Sequence, residues 1–217
     1  MPGRARERTG RGMDGSTAAH WEAVWAAQDP EAVSWYQRDP AVSLSLILEA
    51  VPDHDAAIVD VGGGASMLVD RLLDTGYVDV TVLDLSQVAL DHSQARLGER
   101  AGSVSWVHAD VTIHRFDRVF DLWHDRAVLH FLVDPDDRAR YREAASAAVR
   151  PGGHLVVATF ALDGPERCSG LPVVRHGPGE LTDLFAGAFE PVGFVGEVHV
   201  TPAGVPQPFQ YGHFRRR

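Results

Sequence analysis

Beyond residue 55 the chain alternates short apolar runs with segments whose apolar residues recur every three or four positions. The runs at 57–61, 79–84, 104–108, 119–124, 154–161, 193–200 and 207–215 predict strands, and the periodic segments at 65–75, 87–98, 136–149 and 179–187 predict helices. Strands apolar on both faces, separated by helices, belong to a mostly parallel sheet covered on both sides. No helix separates the last two runs. Thr201-Pro202-Ala203-Gly204 joins them and predicts an antiparallel hairpin at the sheet edge. Ahead of this core, His20–Gln28 and Ala41–Val51 read as helices closed by Asp29-Pro30 and Pro52. They form an N-terminal cap over about 18–50 of a single domain, 16–217. Residues 1–15 are rich in Gly and Arg and predict a disordered tail. No internal repeat or second domain boundary is visible.

The first apolar run leads into Asp60-Val61-Gly62-Gly63-Gly64-Ala65-Ser66. Glycines at a strand-to-helix turn let the backbone bend sharply and come close to a ligand, and a helix start offers free N–H groups. Twenty residues beyond Gly64, Asp84 closes the second run, where an acid is placed to take a ribose diol. Together they indicate a nucleoside cofactor. The dinucleotide pattern G-x-G-x-x-G is broken, because Met67 stands at its third glycine. Asp60 would also repel a pyrophosphate, whereas it would attract an ammonium or sulfonium. An NAD-dependent oxidoreductase is therefore the weaker alternative, with a non-catalytic cofactor-binding module beside it.

Asp60-x-Gly62-x-Gly64 resembles the first motif of the class I S-adenosylmethionine-dependent methyltransferases. The resemblance runs on in order through Val82-Leu83-Asp84-Leu85-Ser86, Val107-His108-Ala109-Asp110, Phe120 to Arg126 and Val149 to Val157, and covers roughly residues 55 to 160. Ser66 stands where many members carry a third glycine. The resemblance implies a Rossmann-like sheet with helices on both faces and S-adenosylmethionine as cofactor. Its implied contacts are Asp60, Gly62, Gly63, Gly64, Asp84, Leu85, Asp110, Val111 and His124, with Asp84 on the ribose and Asp110 near the adenine amino group.

Trp123 to His130 follows the fourth strand, where the methyl group would meet its acceptor. His124, Asp125 and His130 are candidate bases, and Arg126 is a candidate partner for an acceptor carboxylate. Asp125-Arg126-Ala127 is loosely similar to the Asp-Lys-Gly of small lysine methyltransferases, which makes a protein lysine the alternative acceptor to a small molecule with an N, O or S nucleophile. Trp21, Trp35 and Tyr36 precede the core and are candidates for stacking or caging, while Trp25 is expected simply to bury its helix. Cys168 lies in a Gly- and Pro-rich rim segment and is expected chiefly to pack there.

The net charge is −10, and arginines gather at the two ends, so the body is more acidic still. An acidic body disfavours nucleic acid as a partner. No apolar run approaches the ~20 residues that span a bilayer. One cysteine excludes an internal disulfide and fits the cytoplasm. The histidines show no metal-ligand spacing.

Overall fold

The computed structural model describes residues 15–217; the arginine-rich segment before them, expected to be disordered, lies outside the described residues. Two helices, α1 (Gly15–Ala27) and α2 (Ala41–Ala50), precede the core. There follow β1 (Ala57–Val61), α3 (Leu68–Thr75), β2 (Asp79–Asp84), α4 (Gln87–Leu97), β3 (Val104–His108), β4 (Phe120–Arg126), α5 (Pro135–Ala148) and β5 (Val149–Phe160). A two-residue pair, β6 (Arg167–Cys168) and β7 (Leu171–Pro172), then leads to α6 (Pro178–Phe185), β8 (Phe189–Val200) and β9 (Pro206–Arg216). The seven-stranded sheet has the order β3-β2-β1-β4-β5-β9-β8. β9 runs antiparallel to both β5 and β8, while the other neighbours are parallel. Among the described residues no helix is long and apolar enough to cross a membrane.

α1 begins at Gly15 rather than 20 and β8 at Phe189 rather than 193, and three further differences from the pattern-based expectation bear on the site. α3 begins at Leu68 rather than 65, because Ser66 N bonds back to Gly63 O at 2.7 Å and the glycines close a tight turn first. β5 starts at Val149, since Arg150 to Gly153 form an irregular stretch within the strand, with Gly152 at φ +77, rather than a turn before it. The segment after β5, read as open rim, folds into the β6–β7 ladder.

Strand alternation sorts the side chains. Ile58 on β1 and Leu122 on β4 pack under α2 and α3, with Leu46, Ile47, Leu68 and Leu72. Val59, Val61 and Trp123 face the opposite side, with Tyr141 of α5 and Phe185 of α6. The same alternation acts on the polar residues of β4. His124 reaches Ser43 of α2, while Asp125 turns under α5, where its Oδ2 accepts from Tyr141 OH at 2.6 Å. Tyr141 OH in turn accepts from Trp123 Nε1 at 3.0 Å. Burial lifts the Asp125 carboxyl to about 6, against the pull of the Tyr141 hydroxyl and the Val128 amide. Tyr141→Phe leaves a buried indole N–H and a buried carboxylate each short of a partner, and is expected to cost about 1–3 kcal/mol in denaturant unfolding. A stability within error of wild type would show that this network carries no net weight.

Candidate functional site

The C-terminal edge of β1, β2 and β4 opens into two adjoining clefts, of about 720 and 550 Å³. The first is lined by Asp84, Leu85, Ala109, Val111, Val128 and Phe131, and also by Cys168. The second is lined by Asp60, Gly63, Ser66, His124 and Tyr36. Trp25, Trp35, Gly62 and Arg126 line both and mark their junction.

Gly62 adopts φ +70, and a Cβ there would collide with the Val128 side chain. A Cβ on Gly63 would lie 2.5 Å from Asp60 Oδ2. The turn is therefore packed directly against the acid. Asp60 is buried, with Oδ1 accepting from His124 Nδ1 at 2.7 Å, and its Oδ2 has no hydrogen-bond partner among the described residues. His124 Nε2 meets Ser43 Oγ at 2.9 Å. Asp84 Oδ1 accepts from Ser86 N at 2.8 Å. Burial raises its carboxyl to about 7; the Ser86 amide works against this, and the nearby Asp60 charge adds to it.

α1 lies over the first cleft. Its Glu22 accepts from Gln87 N at 2.8 Å, Ser86 Oγ at 2.9 Å and Val88 N at 3.2 Å, so it caps α4 from outside. Burial raises the Glu22 carboxyl, but these donors outweigh it and hold the group below its ordinary value. The aromatic rings meet edge to face: Trp21 lies 5.7 Å from Trp35 and 5.0 Å from Phe131, and Trp25 lies 5.7 Å from Trp35.

The structure brings together Asp60, Gly62, Gly63, Asp84, Leu85, Val111, His124, Arg126, Trp35, Tyr36 and Cys168 on these clefts. Gly64 stands just behind Asp84, whose Oδ2 would lie 2.6 Å from a Cβ at that glycine. Asp110 shapes the turn between Ala109 and Val111, with Oδ1 accepting from Thr112 N at 2.8 Å. Two of the three base candidates are turned from the clefts. Asp125 accepts from Val128 N, Leu129 N and Tyr141 OH, which makes it the fastener of the turn after β4. His130 is fully buried beside Phe131, Phe160 and Phe209, and burial drives its imidazole down to about 3. Burial pushes the Cys168 thiol up to about 11, so at neutral pH it is an uncharged wall. Trp25, expected only to bury its helix, also lines both clefts. Sequence reasoning missed Glu22, Ser43, Tyr211 and Glu197, which reach the site from four distant elements and carry no motif.

A buried acid with an unpartnered oxygen, a glycine turn with no room for a Cβ and an apolar slot beside Asp84 have the chemistry to take a nucleoside cofactor bearing a cation. A general methyltransferase-domain family matches residues 58–153. The eEF1A lysine and N-terminal methyltransferase of Danio rerio is 27% identical over 152 residues, covering 68% of this chain and 22% of that protein. The O-methyltransferase resE of Aspergillus sclerotiorum is 30% identical over 109 residues, 49% of this chain and 40% of its own length. The chain thus spans about a fifth of the length of the first relative. The N-methyltransferase NodS of Bradyrhizobium japonicum, solved with S-adenosylhomocysteine, superposes with a TM-score of 0.70 at 20% identity, over 92% of this chain and 98% of that one, and so shares the fold. Residues 58–153 thus match a methyltransferase domain, and the fold is the one that S-adenosylmethionine-dependent methyltransferases share.

The raised Asp84 carboxyl has a consequence for the ligand-free protein. The folded chain holds this proton up to about pH 7, while the unfolded chain releases it near 4. Its contribution is thus present at low pH and lost as pH rises from about 4 to 7, at up to about 1.4 kcal/mol per pH unit. Asp84→Asn is expected to flatten the fall in that window, read by denaturant unfolding across pH. An unchanged slope would mean that Asp84 titrates as an exposed carboxylate does.

Proposed function

We propose that the protein methylates a small molecule with an N, O or S nucleophile, held at the junction of the two clefts. The observation that carries this reading is the aromatic lid: Trp25 and Trp35 wall the junction, and Trp21 and Phe131 extend the same edge-to-face cluster over the first cleft. A roofed apolar slot suits a compact acceptor.

S-adenosylmethionine supplies an activated methyl group on a sulfonium, which an acceptor lone pair displaces with the C–S electron pair passing to sulfur. In this reading the Asp84 carboxylate would accept from the ribose hydroxyls, and Leu85, Ala109 and Val111 would flank the base, with Asp110 setting the turn that presents them. Gly62 and Gly63 give the methionine end room. The free Asp60 Oδ2 offers its charge there, and His124 fixes Asp60 from behind. The lid excludes water, so the main contributions are alignment and desolvation. Neither Asp125 nor His130 is presented to the acceptor, so proton removal is not assigned to them. A cytoplasmic setting fits the single free thiol.

A second reading, a protein lysine acceptor, is favoured by the likeness to the eEF1A lysine and N-terminal methyltransferase. An aromatic trio can cage a cation, but Arg126 at the same junction repels one.

Asp84→Ala is expected to weaken S-adenosylhomocysteine binding by about 1–3 kcal/mol, as for a buried hydrogen-bonding group left unpaired. Gly62→Val is expected to abolish it in a folded protein, because a β-branched side chain at φ +70 meets Val128. Near-native calorimetric affinity in either variant would relocate the cofactor. The acceptor class is read by supplying methyl-labelled S-adenosylmethionine with a metabolite extract and, separately, with the protein fraction of a lysate. Label in small molecules is expected; label in polypeptide alone would establish the lysine reading instead.

A further inference from the structure

We propose that the acceptor carries an anionic group, a carboxylate or similar oxyanion on a flat aromatic body, and that Arg126 reads it. This rests on the small-molecule reading above. The Arg126 side chain is only 10% exposed, yet it lines both clefts at their junction. Its guanidinium is fixed on three sides. Nε donates to Tyr211 OH at 3.2 Å, Nη1 donates to the Trp35 carbonyl at 3.2 Å, and Cζ lies over the Phe209 ring, 4.2 Å from its centroid. Nη2 has no hydrogen-bond partner among the described residues. The Glu197 Oε2 oxygen is 3.8 Å away, too far for one. Glu197 is already occupied, accepting from Tyr211 OH at 3.0 Å and from Gln37 Nε2 at 2.8 Å.

A buried guanidinium edge without an acceptor is costly, and a planar oxyanion completes it. Two such groups can come near the junction, one on the acceptor and the other the carboxylate of the cofactor. The sheet order favours the acceptor. The proposed nucleoside contacts sit on or just beyond β1, β2 and β3, whereas two of the three anchors of Arg126, Phe209 and Tyr211, sit on β9 across β4 and β5, and the third is the Trp35 carbonyl of the N-terminal segment. Trp21, Trp35 and Phe131 offer ring edges and faces to a flat apolar body. A neutral nucleophile on the same body gains orientation from the anion's bond to Arg126.

The test uses the full chain saturated with S-adenosylhomocysteine and three matched probes: 2-naphthoate, 2-naphthamide and 2-naphthylmethylammonium. By calorimetry the carboxylate is expected to bind at least about tenfold more tightly than the amide, the scale of one charged hydrogen bond, and the ammonium more weakly than either. This wild-type comparison needs no variant. Arg126→Gln combined with Glu197→Gln keeps the network neutral. It is expected to bring naphthoate to the amide's level while S-adenosylhomocysteine affinity stays within about twofold. Equal binding of carboxylate and amide, no carboxylate binding, or a preference that survives in the double variant would overturn the proposal. A tenfold or larger loss of S-adenosylhomocysteine affinity would do so too, by assigning Arg126 to the cofactor. If neutral or cationic small molecules accept label, the anion preference fails while the small-molecule reading stands. Label confined to polypeptide fails that reading itself.

Discussion

The site depends on an ionisable acid, Asp60, buried near the C-terminal edge of the sheet. A carboxylate removed from water must be compensated, and it is only half compensated by the chain. His124 Nδ1 supplies one hydrogen bond at 2.7 Å, and Oδ2 is left with none. Gly63 is obligatory for the same reason. At Gly63 any Cβ would press on Oδ2, and the turn would have to move away from the charge it encloses. A second buried acid, Asp84, responds to the first: the Asp60 charge adds to burial in raising its carboxyl to about 7. The pair makes a negatively biased floor that suits a cationic ligand and disfavours a phosphate.

From His124 the polar contacts continue through Ser43 of α2 to Tyr211 of β9, with Ser43 Oγ and Tyr211 OH 3.4 Å apart, and on to Glu197 of β8 and Arg126 of β4. This network stitches the antiparallel hairpin and an N-terminal helix to the centre of the parallel sheet. Glu22 fastens α1 to the start of α4 in a comparable way, with one carboxylate satisfying three donors at a helix N-terminus. Both fastenings are polar contacts that reach the cap, whereas the sheet is held by apolar layers. α2 adds apolar packing of its own, with Leu46 and Ile47 in the core beside Ile58 and Leu122.

Much of this was legible in the sequence, and the limits have physical causes. The strands came through because fully buried parallel strands are apolar on both faces: Ala57–Val61 is buried throughout. The glycine turn and the acids at strand ends were legible because the backbone geometry admits few alternatives there. The start of α3 was misread by three residues, since the apolar spacing of Ala65 to Leu73 cannot reveal that Gly63 to Met67 are used by the turn. Asp125 and His130, two of the three candidate bases, lie away from the clefts for a different reason. Along β4, His124 and Arg126 share one face and Asp125 the other, so period-two alternation already separated them. Which face met the lid depended on where α2 packs, and that is tertiary. His130 follows the strand, and its burial among Phe131, Phe160 and Phe209 joins segments some 30 to 80 positions apart. Ser43, Tyr211 and Glu197 were invisible for the same reason: each is an ordinary residue until the fold brings it to His124 and Arg126.

The network ends in two unsatisfied groups of opposite sign, the Asp60 Oδ2 oxygen and the Arg126 Nη2 nitrogen. A stable protein does not need such ends; joining them directly would remove both penalties. Tyr211, Ser43 and His124 hold them apart instead, each with its other hydrogen-bonding atoms already committed. Little reorganisation is then left for the moment a ligand arrives, which is the condition under which fixed charges favour a reaction most. In the proposed reading the acid faces the cationic donor and the guanidinium faces the acceptor, so the two charges fix the direction in which the methyl group must travel. The cost of leaving them open falls on the ligand-free protein, and binding removes it, so the filled site and the folded cap are expected to stabilise one another.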